Sequence, residues 1–316
     1  MKTKTAIIAL GGNALSPGGE SGTIPEQFAH TRESLKAVMH FVHRGYNLCI
    51  THGNGPQVGD ELLRMELTYQ QVPPLPLGVC VAETQGSIGY MIQQSLQNAL
   101  KLAGIEREVV TLITQVVVDP EDPSIKRPTK FVGGRYDEKQ ARHLAAQFGW
   151  QIAEQNPGEW RQVVPSPKPH FVMHGKSIKT LVDQGTIVLA SGGGGIPVYY
   201  DHEDKLEGLD AVIDKDLSAA LLGRVIRAEE LWIITDIDRV YLNFNQPNQT
   251  PINHMTLGEA RQYLKEGHFQ PGSMAPKIEA AIYFLQHYGE KVVITSIPEV
   301  EGALTNRAGT TIGKTK

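Results

Sequence analysis

Five stretches of the chain are apolar without a break and stop at glycine or a polar turn. Ala6-Ile7-Ile8-Ala9-Leu10 runs into Gly11-Gly12-Asn13, and Leu48-Cys49-Ile50-Thr51 into His52-Gly53-Asn54-Gly55. Thr186-Ile187-Val188-Leu189-Ala190 meets Ser191 and the glycines 192–195. Leu231-Trp232-Ile233-Ile234-Thr235 ends at Asp236, and Val292-Val293-Ile294-Thr295 at Ser296. Runs that lack polar alternation predict strands covered on both faces. Between them the spacing changes. Ile88, Ile92, Leu96 and Leu100 recur on one helical face, as do Leu217, Leu221 and Val225 with Leu222 and Ile226 beside them. Val58, Leu62 and Met65 form a shorter stripe behind Pro56, a residue suited to an early helical position. Strands alternating with helices predict an α/β fold, an open and mainly parallel sheet with helices on both sides.

One region departs from this rhythm. Residues 119–170 hold Pro120, Pro123, Pro128, Pro157, Pro165, Pro167 and Pro169, together with many charges and two tryptophans. So many prolines do not suit a central sheet. The segment reads as an insertion, a small flap subdomain with its own strands and a helix near Glu138 to Gln147. Long insertions of this kind are often lids. The expected division is an N-terminal lobe over 1–185, which carries the flap, and a C-terminal lobe over 186–316.

Composition narrows the function classes. The chain has 316 residues, 41% of them hydrophobic, enough for a large core. A formal charge of −4 argues against a general nucleic-acid binder but leaves room for a small anion held by a few local cations. Cys49 and Cys80 sit among apolar neighbours, which suits buried free thiols in a reducing compartment. The apolar run near the start is too short for a signal sequence or a membrane span, so a cytoplasmic protein is expected.

In an open α/β sheet, ligands bind beyond the carboxyl ends of the strands, where the glycine turns gather here. Glycine lets backbone N–H groups approach a ligand closely, and a turn that leads into a helix makes a cradle for phosphate or carboxylate. The familiar motifs are absent: no GxxxxGK[ST], no HExxH, and GNGPQVG over 53–59 instead of GxGxxG. His52 and His174 have no partners at metal-ligand spacing and read as polar loop residues. Three lysines stand out. Lys130 lies in RPTKFVGG on the insertion, Lys215 in VIDKDL, and Lys277 in GSMAPKIEAA. The last two sit where helices should begin. A lysine there is disfavoured by the helix dipole unless an anion is near, so an anionic ligand explains both.

With these residues in view, the chain resembles the carbamate kinases of the amino acid kinase superfamily. The resemblance rests on ALGGNAL (9–15), THGNGPQVG (51–59), TQGSIGYMIQQ (84–94), RPTKFVG (127–133), WRQVVPSPKP (160–169), SGGGGIPV (191–198), AVIDKDLSAALL (211–222) and EGHFQPGSMAPK (266–277), in that order along nearly the whole chain. It implies a three-layer α/β/α sandwich with a protruding flap, carbamate held by the N-terminal part and nucleotide by the C-terminal part, and a homodimer. The implied reaction is carbamate + ATP ⇌ carbamoyl phosphate + ADP, with Mg²⁺ carried on the nucleotide phosphates. It usually runs towards ATP in fermenting bacteria, with arginine breakdown and purine or allantoin breakdown both open as pathways. By motif, Gly11, Gly12 and Asn13 contact the transferred phosphoryl, Gly53, Asn54 and Gly55 hold the carbamoyl end, and Lys130 reaches down from the flap. Lys215 and Lys277 bind the phosphates and Asp216 orients them, with Asp214 a further candidate. Asp236, Tyr241 and Met274 fall in segments that line the nucleotide pocket.

Three places depart from the family pattern: Ala275 where glycine is usual, Gly133-Gly134-Arg135-Tyr136 where GPFY is usual, and Asn156-Pro157-Gly158-Glu159 where GRG is usual. The last two lie in the flap and raise the prospect of a related acceptor. The competing readings are a kinase for another small carboxylate or phosphonate on the same fold, and a non-catalytic sensor of carbamoyl phosphate or nucleotide. The intact HGNGPQVG and TQGSIGYM segments weigh against the first, and the presence of all three lysines against the second.

Overall fold

The computed structural model describes residues 3–12 and 22–315, so Asn13 lies outside the described residues. From the start the elements are β1 (Thr5–Leu10), α1 (Ile24–His43), β2 (Asn47–His52), α2 (Gly55–Thr68), α3 (Leu77–Leu102), β3 (Val109–Thr111) and β4 (Gln115–Val118). The flap region follows with α4 (Pro123–Lys126), β5 (Lys130–Tyr136), α5 (Glu138–Phe148), β6 (Gln151–Asn156), β7 (Glu159–Val164) and β8 (Pro169–Val172). Then come α6 (Gly175–Asp183), β9 (Ile187–Leu189), β10 (Ile196–Tyr200), β11 (Leu206–Gly208), α7 (Lys215–Ile226), β12 (Glu230–Thr235), β13 (Val240–Leu242) and β14 (Thr250–Ile252). The chain closes with β15 (His254–Thr256), α8 (Leu257–Lys265), α9 (Met274–Gln286), β16 (Lys291–Ser296), α10 (Val300–Ala303) and β17 (Thr310–Gly313).

All five unbroken apolar runs are strands of one eight-stranded sheet, ordered β15-β17-β16-β12-β1-β2-β9-β3. Pairing is parallel from β16 across to β3, and β17 runs antiparallel to β16. Ile8 sits between Trp232 and Ile50 in the register. Successive residues of one strand serve opposite faces. Ile7 and Ala9 pack with Leu231, Ile233 and the helices α7 and α9. Ala6, Ile8 and Leu10 pack with Trp232, Ile234 and the helices α1 and α3. This makes three layers, helices against both faces of the sheet. Each fully buried isoleucine or leucine contributes about 1.5–3 kcal/mol, which is why these runs are almost wholly apolar, the polar residues at their ends being mostly threonines.

The amino ends of the strands are held by two buried carboxylates, Glu229, which accepts from the Thr5 amide at 2.8 Å, and Glu230. Glu230 accepts from Lys4 Nζ at 2.9 Å and Trp232 Nε1 at 2.9 Å, and Lys291 Nζ lies 3.4 Å away. The carboxyl ends are left to the glycine turns, all at the opposite edge of the sheet.

The flap is an antiparallel sheet, β5-β7-β6, backed by α5. It rises from a second sheet, β11-β10-β4-β8, and leans on α2. There Tyr136 donates its hydroxyl to Glu66 at 2.5 Å. Strand β9 lies between β2 and β3, so the first strand after residue 185 sits beside two strands from before it.

Candidate functional site

The N-terminus of α7 organises the site. Asp214 caps it, its Oδ1 accepting from the Asp216 amide at 2.9 Å and the Leu217 amide at 3.4 Å. Lys215 is therefore the first helical residue, and Asp216 points inward at 2% exposure. The Asp216 carboxylate holds two lysines. Lys215 Nζ donates to Oδ1 at 2.5 Å, and Lys277 Nζ, from the first turns of α9, donates to Oδ2 at 2.9 Å. Lys130 reaches from β5 to Asp214 Oδ2 at 3.4 Å. The three lysines that stand apart in the sequence thus converge on two neighbouring carboxylates.

The electrostatics follow from burial. Burial pushes the Asp216 carboxyl up, but the ammonium groups of Lys215 and Lys277 outweigh it and hold it at about 2. Burial pulls Lys215 below its ordinary value even though Asp216 opposes this, and Lys277 pulls it further down. Lys277 also loses to burial, yet Asp216, Asp214 and Asp236 carry it above its ordinary value. Two lysines thus share one counter-charge, an arrangement that an incoming anion would stabilise.

Opposite the lysines stand the glycine turns. Asn54 caps α2 and donates its amide to Thr84 Oγ1 at 2.9 Å. Gln85 of α3 ties the Gly192 carbonyl at 3.0 Å and the Thr114 backbone, so one helix positions both turns. Gly53 and Gly193 are required by geometry. A Cβ on Gly53 would lie 2.8 Å from the Gly12 nitrogen, and Gly193 has φ +64° with no room for a Cβ beside Asn54. Between turns and lysines lies a cleft of about 540 Å³. Gly12, Gly53, Asn54, Gly55, Lys130, Asp214, Lys215, Asp216 and Lys277 all line it.

Other expected residues sit elsewhere. Gly11 does not line the cleft; its amide donates to the Ile234 carbonyl at 2.9 Å. Asp236 follows β12 on the Lys277 side, and Met274 opens α9 and packs on the core. Tyr241 on β13 donates to Asp238 at 2.8 Å. None of these three lines the cleft. His52 is not a loop residue as the sequence suggests. It ends β2 at 2% exposure, and burial pulls its imidazole down to about 4, with Nδ1 3.0 Å from the Gly53 carbonyl. His174 is exposed at the start of α6. The flap departures come together, Arg135 and Asn156 both reaching Glu159, and none of them lines the cleft. Sequence reasoning missed Arg161 of β7, which does line it. Its signal was its place in the WRQVVPSPKP segment that carries the resemblance.

Comparison with known proteins agrees with this geometry. A model of the amino acid kinase family matches residues 4–296. The carbamate kinase of Pyrococcus horikoshii is 44% identical, over 97% of this chain and 98% of its own length. The chain belongs to the carbamate kinases of the amino acid kinase family. Another carbamate kinase, from Trichomonas vaginalis, is 42% identical over 97% of this chain and 98% of its own. Among solved structures, a carbamate kinase from Giardia lamblia bound to AMP-PNP superposes with a TM-score of 0.92 at 38% identity, covering 98% of each chain. The mostly parallel eight-stranded sheet with its smaller sheets is the amino acid kinase fold.

Proposed function

We propose that the protein catalyses reversible phosphoryl transfer between carbamoyl phosphate and ADP, giving carbamate and ATP. The observation that carries the reading is the pair of lysines, one from each of two helix N-termini, held on the buried carboxylate of Asp216 and facing the glycine turns across the cleft.

In the ATP-forming direction a β-phosphate oxygen of ADP attacks the phosphorus, and the bond to the carbamoyl oxygen breaks. Carbamate leaves as an anion, so no general acid is needed. What the step requires is positioning and offset charge. Gly53, Asn54 and Gly55 hold the carbamoyl end. Gly12 contacts the phosphoryl group and Asn13 is assigned there by motif, while Gly11, its amide taken by the Ile234 carbonyl, shapes the turn. Lys215 and Lys277 face its oxygens, Lys130 closes from the flap, and Asp216 keeps the two buried lysines aimed. A lysine about 4 Å from a phosphoryl oxygen contributes on the order of 4 kcal/mol at an effective dielectric near 20. Asp236, Tyr241 and Met274 are assigned to the nucleotide side.

Among the described residues no cluster of His, Cys, Asp or Glu could hold a metal, and the two cleft carboxylates are taken by lysines. These residues fit Mg²⁺ carried on nucleotide phosphates and water, as that ion prefers. When bound there it neutralises charge on the phosphate oxygens. No helix among the described residues is long and apolar enough to cross a membrane, which is compatible with a cytoplasmic place. A homodimer is assigned to the outer face of α3, where Val79 and Tyr90 are exposed three turns apart with Ile113 also exposed.

The test is ATP formation from ADP and Mg²⁺ with carbamoyl phosphate, set beside acetyl phosphate. Rapid ATP formation from carbamoyl phosphate alone is expected. A preference for acetyl phosphate would move the acceptor to another carboxylate.

A further inference from the structure

Four cations line the cleft: Lys130, Arg161, Lys215 and Lys277. Each lysine is paired with a carboxylate, Lys130 with Asp214 and Lys215 and Lys277 together with Asp216. Arg161, among the described residues, makes no direct ion pair; the carboxylate that attracts it, Glu159 two residues earlier on β7, is bonded to Arg135. The Arg161 guanidinium is tied only to neutral acceptors, through NH2 to the Gly133 carbonyl at 2.9 Å and through NH1 to Gln155 Oε1 at 3.0 Å. Its Nε is closed off from solvent with no acceptor at all. The cation centre stands 6.0 Å from the Phe131 ring on the neighbouring flap strand.

A half-buried guanidinium with no carboxylate in hydrogen-bond contact is costly to keep. Burial pulls its pKa below the ordinary value and the nearby Arg135 adds to the effect, outweighing the opposing pull of Glu159 and Tyr136. The strand β7 that carries it pairs with the strand that carries Lys130, so both cations come from one rigid flap sheet. Lys130 is committed to Asp214. Arg161 still has N–H groups to give, in a planar fork that matches a carboxylate better than an ammonium does.

We infer that Arg161 is a binding residue for the carbamoyl end of the substrate, its fork receiving the planar carbamate group while the lysines take the phosphoryl oxygens. This deepens the carbamate kinase reading and rests on it. Arg161 thereby couples the flap to the acceptor. The Gly133 carbonyl that holds the guanidinium belongs to the part of β5 that leans on α2, and a Cβ on Gly59 of α2 would lie 3.7 Å from the Gly133 Cα.

The experiment compares wild type, Arg161→Gln and Arg161→Lys. Initial rates of ATP formation are measured with carbamoyl phosphate and ADP varied separately. Carbamoyl phosphate is also titrated calorimetrically without nucleotide. Arg161→Gln should raise KM for carbamoyl phosphate roughly ten- to hundredfold, as expected for a lost charge-assisted hydrogen bond, and leave KM for ADP unchanged. Arg161→Lys should recover part of the loss, since it restores charge but not the fork. An unchanged KM for carbamoyl phosphate, an equal rise in both KM values, or a fall in kcat alone would overturn the assignment. Wild-type protein that forms no ATP would defeat the kinase reading instead, and the calorimetric comparison would still decide whether Arg161 holds carbamoyl phosphate.

Discussion

Replacing Asp216 by asparagine keeps the shape of the side chain and removes one negative charge from between two lysines. At 2.5 and 2.9 Å the gross attraction to each ammonium is about 6 kcal/mol at an effective dielectric near 20, most of it offset by the loss of solvation. What survives is the fall of the carboxyl from 3.8 to about 2, which corresponds to about 2 kcal/mol. Breaking a buried pair by deleting one partner costs somewhat more, about 3–5 kcal/mol, because the other charges stay buried. The effect on Lys215 has a definite sign. Burial and Lys277 already pull it below its ordinary value, and Asp216 is its main support. Without that support it loses its proton at lower pH. Asp216→Asn should therefore move the alkaline limb of the rate of ATP formation to lower pH and lower the thermal midpoint. A depressed carboxyl stabilises the fold above its unfolded value, near 3.9, and that contribution fades as pH falls towards about 2. The variant should lose this part of the acid dependence. Rates across the alkaline range and calorimetric melting check both effects. An unchanged alkaline limb together with an unchanged midpoint would refute the reasoning that Asp216 holds Lys215 in its charged form.

Glu230→Gln tests whether the two ends of the sheet are independent. It should destabilise the fold by about 1–2 kcal/mol in denaturant melts, because the buried acceptor of Lys4, Trp232 and Lys291 is lost while the lysines keep access to water. KM values should stay as they are, since Glu230 opens β12 and Asp236 follows its far end. The Glu230 carboxyl is pushed up by burial but drawn below its ordinary value by Lys291 and Lys4, so its contribution is present above the unfolded value and fades as pH falls below it. Gly53→Ala should drive the backbone of Gly12 away, because the new Cβ would meet its nitrogen at 2.8 Å and its Cα at 2.9 Å. About 1–3 kcal/mol of stability and most of the affinity for carbamoyl phosphate should go with it, read by melting and by initial rates.

Elements whose signal is local were legible in the sequence. The five apolar runs became strands because the middle of the sheet, covered by helices on both faces, is filled by apolar side chains. The stripes of Ile88 and Leu217 became α3 and α7. Helix α1 escaped notice although Thr23 and Glu26 form a capping box before it. Strand β17 escaped because Thr310–Gly313 is short and half polar, and it is a strand only through pairing with β15 and β16 on either side. Strand order is non-local. Nothing in Ile187–Leu189 says that it will pair with both Cys49 and Val110. The lysines were legible because a cation at a helix start is out of place without an anion. Arg161 was not, since an arginine in a charged flap segment looks like any solvated side chain until its neighbours turn out to be a carbonyl and an amide.

The central claim is that Lys215 is a working cation of phosphoryl transfer and not a surface charge. The most direct test is ATP formation from carbamoyl phosphate, ADP and Mg²⁺ by wild type and by Lys215→Ala, with folding of both followed by circular dichroism. The account predicts rapid synthesis by the wild type and a loss of turnover of roughly a hundredfold or more in a folded variant. Equal turnover in the two proteins would contradict it.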